Sequence, residues 1–246
     1  MKATQGRIHI GTSGWSYDHW TGPFYPETLP ADHALEYYAV HFNSVEINSS
    51  FYRLPEVTTV QHWYASTPDN FVFTAKASRY ITHMKKLQDP EKSVPAFLDR
   101  ISLLGDKLGP ILFQLPPNWH FNAARLEAFL DSLDPGFRYA FEFRGHDWLN
   151  PETLTLLERH KAAFCIYELE GFRTPEHVTA DFIYVRLHGP EGAYQGSYSH
   201  RTLTTRAEQF MTWARSGKTV YCYFDNDQSG YAANNAQQLQ AILSRQ

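Results

Sequence analysis

The sequence predicts an α/β fold, namely a single TIM-like (β/α)8 barrel that spans residues 1–246. Eight short segments with strand character alternate with helix-like segments along the whole chain, which is typical of parallel βα units. A chain of 246 residues suits one such barrel. The alternative is an open, doubly wound sheet, but the turn after the first strand reads GTSGW and lacks the GxGxxG fingerprint of dinucleotide-binding sheets. Eight regular units therefore favour the closed barrel.

The predicted strands are short runs rich in β-branched and aromatic residues. Most of them are almost continuously apolar, as expected for strands that helices cover. No linker, internal repeat or shift in composition interrupts their alternation with helices, so we expect one structural unit. In chain order the strands are RIHIGTS (7–13), SVEIN (44–48), FVFTAK (71–76), GPILFQL (109–115), YAFEF (139–143), AAFCIYE (162–168), FIYVRLH (182–188) and TVYCYFDN (219–226).

The helices between the strands are predicted from their end signals and their apolar spacing. Asn150-Pro151-Glu152 combines an N-cap residue, a proline at the first helical position and an acid in the first turn. Apolar residues recur at three- and four-residue intervals in 93–104 and 236–243. The signals in 170–180 are weaker, and we expect only a short helix or an irregular loop there.

Composition and charge restrict the classes of function. The formal net charge of −4, from 22 basic and 26 acidic side chains, argues against a broadly basic nucleic-acid-binding surface, although a local positive cleft is compatible with it. The N-terminal MKATQGRIHI lacks an apolar signal region, and no run reaches membrane-spanning length. We therefore expect a cytoplasmic protein with no membrane partner. Cys165 and Cys222 lie in apolar runs without zinc-ligand spacing, and we expect buried, reduced thiols.

Polar residues collect at the C-terminal ends of the predicted strands. In a TIM-like barrel these ends, with the loops that follow them, carry the functional groups. Charged residues in strands are costly to bury unless they are paired or face a wet site, so their repetition at one end indicates a pocket. The residues at these positions are Thr12, Ser13, Glu46, Asn48, Lys76, Gln114, Glu142, Arg144, Glu168, Arg186, His188, Asp225, Asn226 and Asp227.

Three cations in this set indicate recognition of an anion. Lys76, Arg144 and Arg186 carry ammonium and guanidinium groups, which suit phosphate and carboxylate. The loops HGPEGAYQG (188–196) and DNDQSGYAANN (225–235) follow the last two strands, where barrels commonly bind phosphate beside a helix N-terminus. Neither loop has Walker spacing. We predict a small phosphorylated or otherwise anionic ligand.

Two other interpretations of the charged residues stay open. Glu46 could pair with Lys76, and Glu142 with Arg186, as a structural plug at the barrel mouth. A divalent metal could bind among the acidic residues, but a single strand-end histidine and the nearby cations disfavour it. No metal ligand and no cofactor is therefore predicted.

Aromatic residues lie next to these charged positions and make up 15% of the chain. Core packing accounts for some of them, but aromatic rings in loops beside charged strand ends can stack on a sugar or a base. Trp15 in the first loop and Tyr52 in the second are best placed for that role.

The motifs around these positions resemble those of the domain of unknown function 72 family, also called the YecE-like proteins. They occur in the family's order and span nearly the whole chain. The resemblance implies a TIM-like barrel whose motifs line one mouth, with no assigned reaction. The matching runs are GTSGWSYDHW, GPFYP, FNSVEINSSFYRLP, FTAKASRYITH, LGPILFQLPP, FEFRGHDW, YVRLHGP and VYCYFDNDQSGYAANNAQQL.

Two positions depart from the family pattern. Gly145 follows Arg144 where many relatives have histidine, and Glu168 stands near the end of strand six where relatives often have aspartate. The roles of loop five and of Glu168 are therefore left unassigned. The motif positions that the resemblance carries onto this chain are Trp15, Glu46, Asn48, Phe51, Tyr52, Lys76, Gln114, Glu142, Arg144, Arg186, His188, Gly189, Asn226 and Asn234.

The leading hypothesis is an enzyme, of hydrolase or of isomerase or lyase type, that acts on a phosphorylated sugar or nucleotide-like substrate. The cations hold the anionic group, a strand-end glutamate acts as base and the histidine acts as acid. The predicted catalytic residues are Glu46, Glu142 and His188. The predicted substrate-binding residues are Trp15, Asn48, Tyr52, Lys76, Gln114, Arg144, Arg186 and Asn226.

Two other functions remain compatible with the sequence. One is nucleic-acid binding or metal-assisted phosphodiester hydrolysis, with the aromatic residues stacking on bases. The other is a non-catalytic module that binds a ligand in the same pocket. The sequence leaves open the substrate, the reaction, the need for a metal and the oligomeric state.

Overall fold

Eight parallel strands surround the centre of the computed structural model, which describes residues 5–245. From β2 onward each parallel strand pairs with the next one along the chain, and the last pairs with the first, whereas β1 and β2 meet only through an isolated bridge. The predicted TIM-like barrel is therefore confirmed. The strands are β1 (Ile8–Thr12), β2 (Ser44–Ile47), β3 (Val72–Lys76), β4 (Leu108–Leu115), β5 (Tyr139–Phe143), β6 (Ala163–Leu169), the short antiparallel β7 (Phe172–Arg173), β8 (Phe182–Leu187) and β9 (Thr219–Phe224).

The barrel closes between β1 and β2, near the C-terminal ends of these strands. Ser13 forms a parallel bridge with Glu46, and the Gly14 N–H donates to the Glu46 carbonyl at 2.8 Å. Deeper in the barrel, a Cβ on Gly11 would lie 2.0 Å from the carbonyl oxygen of Ser44. Only glycine allows this approach of the two backbones. The closure therefore places the loop after β1 directly beside Glu46.

The α-helices cover the outside of the barrel. α6 begins as predicted, because Oδ1 of Asn150 accepts the Thr153 N–H at 2.9 Å and Pro151 is its first residue. No helix in residues 5–245 is both long and apolar enough to cross a membrane. The helices are α1 (Ala34–His41), α2 (Ser49–Tyr52), α3 (Val57–Ala65), α4 (Pro90–Ile101), α5 (Ala123–Asp131), α6 (Pro151–Arg159), α7 (His200–Arg215) and α8 (Tyr231–Leu243).

The segment after β6 forms a tight hairpin where a short helix or an irregular loop was expected. Leu169 pairs with Phe172 in antiparallel register. Between them, Glu170 and Gly171 have φ values of 51° and 79°. Two consecutive left-handed residues are what a two-residue type I′ turn requires. The irregular loop is found only beyond the hairpin, in residues 174–180.

The interior of the barrel below the strand ends is filled by apolar side chains and by tyrosines whose hydroxyl groups are hydrogen-bonded. Leu112, Ala140, Ala163, Cys165 and Tyr184 belong to the cluster that fills it. A second, larger cluster lies between the strands and the helices and includes Cys222. Both cysteines are buried and form no disulfide, as predicted. The interior is thus filled, and the charged side chains lie beyond it, at the C-terminal ends of the strands.

Candidate functional site

Three side chains of the β8 region point into the barrel because side chains alternate along a strand. Tyr184, Arg186 and His188 stand at i, i+2 and i+4, and all three are fully buried. Tyr184 lies deepest and donates through its hydroxyl to Oε2 of Glu46 at 2.6 Å. This spacing places a guanidinium at the centre of the mouth and an imidazole above it.

Arg186 is the centre of the polar arrangement. Its Nη1 donates to Oε2 of Glu142 at 2.9 Å, and its Nη2 donates to Oε1 of Glu46 at 2.8 Å and to Oδ2 of Asp225 at 3.1 Å. Burial disfavours its charged form, but the three carboxylates outweigh burial and hold the pKa of Arg186 well above its ordinary value. Arg186 is thus a permanent cation that holds three carboxylates together. The seven residues around this contact, here called the mouth cluster, are Ser13, Glu46, Glu142, Arg144, Arg186, His188 and Asp225.

Glu142 accepts from two guanidinium groups. The Nε of Arg144 donates to its Oε1, and Arg186 donates to its Oε2. Burial alone would raise the pKa of Glu142, but the charges of Arg144 and Arg186 lower it well below its ordinary value. Arg144 itself lies over the ring of Tyr167, with Cζ 4.9 Å from the ring centroid. Glu142 is therefore a permanent anion with no free oxygen.

His188 connects Arg144 with Asp225. Its Nε2 lies 2.9 Å from Nη2 of Arg144, and its Nδ1 lies 2.9 Å from Oδ2 of Asp225. Arginine can only donate, so Nε2 is the accepting nitrogen and Nδ1 carries the proton that is donated to Asp225. Burial raises the pKa of Asp225, but Arg186 and His188 together lower it below its ordinary value. The contacts therefore assign one neutral tautomer to the imidazole.

Lys76 adjoins the mouth cluster from β3 without pairing with it. The side chain is 7% exposed, and Nζ lies 4.3 Å from the centroid of the Phe51 ring. Within residues 5–245 its ammonium has no hydrogen bond and no ion pair. Burial, reinforced by the charge of Arg186 and opposed by nearby carboxylates, lowers the pKa of Lys76 to about 8. The Glu46–Lys76 pair of the plug interpretation is absent, because Ser13, Tyr184 and Arg186 occupy Glu46.

An open cleft lies beside the cluster, between the loops that follow β1 and β2. Its volume is about 230 Å³, and we call it the mouth cleft. Trp15 packs edge-on against Trp63 with ring centroids 5.3 Å apart, whereas Tyr52 is 69% exposed. Oδ1 of Asn48 is buried and has no hydrogen-bond partner within the described residues. The residues that line the cleft are Gly14, Trp15, Ser16, Tyr17, Asn48, Ser49 and Tyr52.

The structure brings most of the predicted site residues together at the mouth. Glu46, Glu142, Arg144, Arg186 and His188 are in direct contact in the mouth cluster. The mouth cleft contains Trp15, Asn48 and Tyr52, and Phe51 connects it with Lys76. Gln114 stands opposite Glu142 in the β4–β5 register, and strand alternation places it on the inner face with Leu112.

Asn226 and Asn234 lie away from these groups. The Nδ2 of Asn226 donates to the Gly196 carbonyl at 2.8 Å and to Oδ1 of Asn235 at 3.0 Å. Asn226 thereby ties the loop after β8 to α8 and does not line the cleft. Asn234 is exposed and accepts from Gln238. Of the neighbouring residues Asn234 and Asn235, Asn235 is the buried one.

Glu168 faces the outside of the barrel. Its Oε2 lies 3.0 Å from Nε of Arg173 and 3.1 Å from Nη2 of Arg206 on α7. Tyr167 takes the neighbouring inward position, where its ring covers Arg144. Glu168 therefore stabilises the packing of the hairpin and α7, and it takes no part in the mouth cluster.

The corner that loops seven and eight form carries acidic groups. Asp227 precedes the turn into α8, and its carboxylate lies 3.6 Å from Nε2 of His19. Burial and the charge of Asp225 raise the pKa of Asp227. Tyr194, in the loop after β8, packs edge-on over His188 with centroids 5.5 Å apart. The corner thus covers the imidazole of His188. The cation that lacks an ion pair, Lys76, lies on β3 and not in this corner.

Several contributors to the site were not assigned from the sequence. The sequence indicates Ser13 and Asp225 as strand-end residues but assigns them no catalytic or substrate-binding role, and it does not single out Tyr184 and Tyr167. The alternation in YVRLH places Tyr184 on the same face as Arg186 and His188, so this signal was available. In residues 5–245, no group of three or more His, Cys, Asp and Glu residues has the arrangement of a metal site.

Comparison with known proteins confirms the resemblance drawn from the motifs. A family model described as "Protein of unknown function DUF72" matches residues 9–246. A DUF72 family protein of Thermotoga maritima MSB8 has a similar structure, with a TM-score of 0.87 and 30% identity over 97% of this chain and 99% of that one.

Two curated relatives are similar in sequence. YecE of Escherichia coli (strain K12) is 36% identical over 140 residues, which are 56% of this chain and 48% of YecE. The match therefore spans about half the length of that relative. YunF of Bacillus subtilis (strain 168) is 27% identical, with 96% of this chain and 94% of YunF covered.

Proposed function

The chain belongs to the DUF72 family of proteins of unknown function, and we propose that it binds a small anionic molecule, such as a phosphorylated sugar, at the barrel mouth and acts on it by acid/base chemistry. The observation that carries this proposal is the unpaired ammonium of Lys76, which is 7% exposed and lies over the Phe51 ring, next to Tyr52 of the mouth cleft. A buried cation without a partner is costly unless a ligand supplies the missing negative charge.

The two arginines of the mouth are less available to a ligand than Lys76. Arg186 donates to three carboxylates, and Arg144 donates to Glu142 and His188. Both therefore serve mainly to position other groups. The ammonium of Lys76 has no hydrogen bond or ion pair among the described residues, and we assign it the contact with the anion.

The charges at the mouth balance before a ligand binds. Three carboxylates, those of Glu46, Glu142 and Asp225, face the three cations Lys76, Arg144 and Arg186. A bound anion would add negative charge to this buried group. Of the three cations, Lys76 is the one with no carboxylate at ion-pair distance among the described residues, so the added charge would contact Lys76.

His188 is the group best suited to exchange a proton with a ligand. All four oxygens of Glu46 and Glu142 already accept from Ser13, Tyr184, Arg144 or Arg186. The two glutamates therefore hold Arg186 in place, whereas the Nε2 of His188 accepts only from guanidinium groups, at 2.9 Å from Arg144 and at 3.4 Å from Arg186. Asp225 fixes the ring from the other side, in the way that a carboxylate orients a catalytic histidine.

The mouth cleft suits the neutral part of such a ligand. The indole of Trp15 and the exposed ring of Tyr52 offer faces for a sugar, and Oδ1 of Asn48 can accept from a hydroxyl. A volume of about 230 Å³ suits a ligand the size of a small sugar.

Isothermal titration calorimetry with inorganic phosphate, ribose 5-phosphate and ribose tests the proposal. We expect ribose 5-phosphate to bind more tightly than ribose, and Lys76→Met to weaken the phosphorylated ligand about 10- to 100-fold, which corresponds to one lost charge-assisted contact. Lys92→Met, on the exposed side of α4, is the matched control and should bind as the unchanged protein does.

Equal affinity for ribose and ribose 5-phosphate, or an unchanged affinity in Lys76→Met, would contradict the proposal. If an anion binds but His188→Gln converts it as fast as the unchanged protein does, the acid/base role of His188 is wrong. If an anion binds and the unchanged protein does not convert it, the site is a ligand-binding module.

A further inference from the structure

Two lysines are buried within residues 5–245, and their surroundings differ. Lys107 is 2% exposed, and its Nζ donates to the carbonyls of Tyr64 and Thr67 at 2.6 and 2.7 Å. Lys76 is 7% exposed, and its Nζ lies over the Phe51 ring without a hydrogen bond or an ion pair among the described residues. Lys107 therefore has an evident structural role, whereas Lys76 does not.

We propose that Lys76 forms a covalent imine with the carbonyl carbon of a small aldehyde or ketone that also carries an anionic group. This inference rests on the proposed function for the class of ligand, since the same mouth must accept the anion. It adds a reaction, because it makes the Lys76 nitrogen a nucleophile.

The surroundings of Lys76 favour a neutral amine, which is the form that attacks a carbonyl. With a pKa of about 8 in place of 10.5, the fraction of neutral amine at pH 7 is about 300-fold larger. The aromatic face of Phe51 still allows the ammonium to form, so both protonation states are accessible.

Charged and titratable groups reach Lys76 from several elements. Glu46 on β2, Glu142 on β5 and Asp225 after β9 favour its charged form, whereas Arg186 on β8 opposes it. From the π-helical turn Tyr80–Met84, which follows β3, His83 packs edge-on against Phe51 with centroids 5.0 Å apart. Burial and the charge of Lys76 lower the pKa of His83, so its imidazole is a neutral proton acceptor near the amine.

The reaction balances without an oxidant or a reductant. The ammonium of Lys76 loses one proton, the nitrogen attacks the carbonyl carbon, and a C–N bond forms as the carbonyl π bond breaks. The resulting oxygen takes up protons and leaves as water, which gives a protonated imine. Overall, one ammonium and one carbonyl yield one iminium and one water, and the positive charge that Lys76 brings is conserved.

Reductive trapping tests the inference on the unchanged protein. The protein is incubated with glyoxylate, an anionic aldehyde, and sodium cyanoborohydride, and the modified lysines are identified by peptide mass spectrometry. We expect Lys76 to be labelled at least about tenfold faster than exposed Lys92 at pH 7, since its larger neutral fraction outweighs the lower nucleophilicity of a weaker base. Lys107, which is buried but paired, should be labelled slowest.

Labelling of Lys76 no faster than that of Lys92 would overturn the imine. Inorganic phosphate distinguishes this failure from failure of the proposed function. If phosphate binds through Lys76 but glyoxylate leaves it unlabelled, the anion site stands and the imine is wrong. If Lys76 is labelled rapidly and neither phosphate nor ribose 5-phosphate binds or slows the labelling, the imine stands and the proposed phosphate ligand is wrong. Lys76→Met should keep the labelling of Lys92 unchanged, which controls for global unfolding.

Discussion

Nδ1 of His188 lies 2.9 Å from Oδ2 of Asp225, and neither ring nitrogen of this histidine is left without a partner. The other nitrogen, Nε2, faces Nη2 of Arg144, which can only donate. The position of the proton on His188 thus follows from the neighbours of the ring. In a TIM-like barrel such an oriented imidazole at the end of a strand is where proton transfer is expected.

The tautomer of His188 is directly measurable. We expect the long-range ¹H–¹⁵N NMR spectrum of histidine-labelled protein at neutral pH to show a protonated Nδ1 and an unprotonated Nε2 for His188. His188→Gln identifies the resonance by its loss. A protonated Nε2 in the free protein would show that Arg144 does not donate to this ring.

The central ion pairs should be far more important for stability than those on the surface. Glu142→Gln leaves Arg144 and Arg186 without one of their carboxylates in a fully buried site, so we expect the free energy of unfolding to fall by about 3–5 kcal/mol. The matched control is Glu127→Gln, which removes an exposed pair with Arg159 and should cost less than about 1 kcal/mol. Urea unfolding measures both; equal losses would contradict the buried network.

The two buried lysines should respond oppositely to substitution. In the folded protein the pKa of Lys76 is lowered from 10.5 to about 8, so its charge opposes folding below pH 8. We expect Lys76→Met to increase the free energy of unfolding at pH 7 by on the order of 3 kcal/mol. Lys107→Met should decrease it, because the Tyr64 and Thr67 carbonyls lose their donor. A loss of stability in Lys76→Met would mean that Lys76 has a structural partner.

The stability gained by removing Lys76 should itself depend on pH. Between about pH 8 and 10.5 the unfolded lysine stays protonated while the folded one loses its proton. The unfolded state then binds more protons, so the stability of the unchanged protein should rise with pH relative to Lys76→Met. Thermal unfolding of both proteins from pH 7 to 10 checks this, and a constant difference would contradict the lowered pKa.

Binding of an anion should weaken as the solution becomes alkaline. The ammonium of Lys76 supplies the positive charge below about pH 8 and loses it above that value. We therefore expect the affinity for ribose 5-phosphate to fall from pH 7 to pH 9, and this fall to be absent in Lys76→Met. Calorimetric titrations at several pH values measure it. An affinity that increases with pH would contradict the role of Lys76.

The sequence alone determined the strands and their order. The strand YAFEF was predicted at 139–143 and β5 is Tyr139–Phe143, and the strand at 182–188 differs from β8 by one residue. Apolar runs, caps and turn residues act locally, and consecutive parallel strands with helices between them form neighbours in the sheet. The hairpin at Leu169–Phe172 was missed because two left-handed residues in succession are a weak signal when only one of them is glycine.

The tertiary structure alone decided which charges meet. Glu142 and Glu168 are both acids near the ends of strands, yet one binds Arg186 inside the barrel and the other binds Arg206 outside. Arg186 reaches Glu46 across 140 residues of chain, and Lys76, which one interpretation of the sequence pairs with that glutamate, has no ion pair within residues 5–245. A local pattern specifies that a polar residue stands at a strand end. Which carboxylate it contacts depends on strand stagger and on the competition among side chains across the barrel, and these exist only once the barrel has closed.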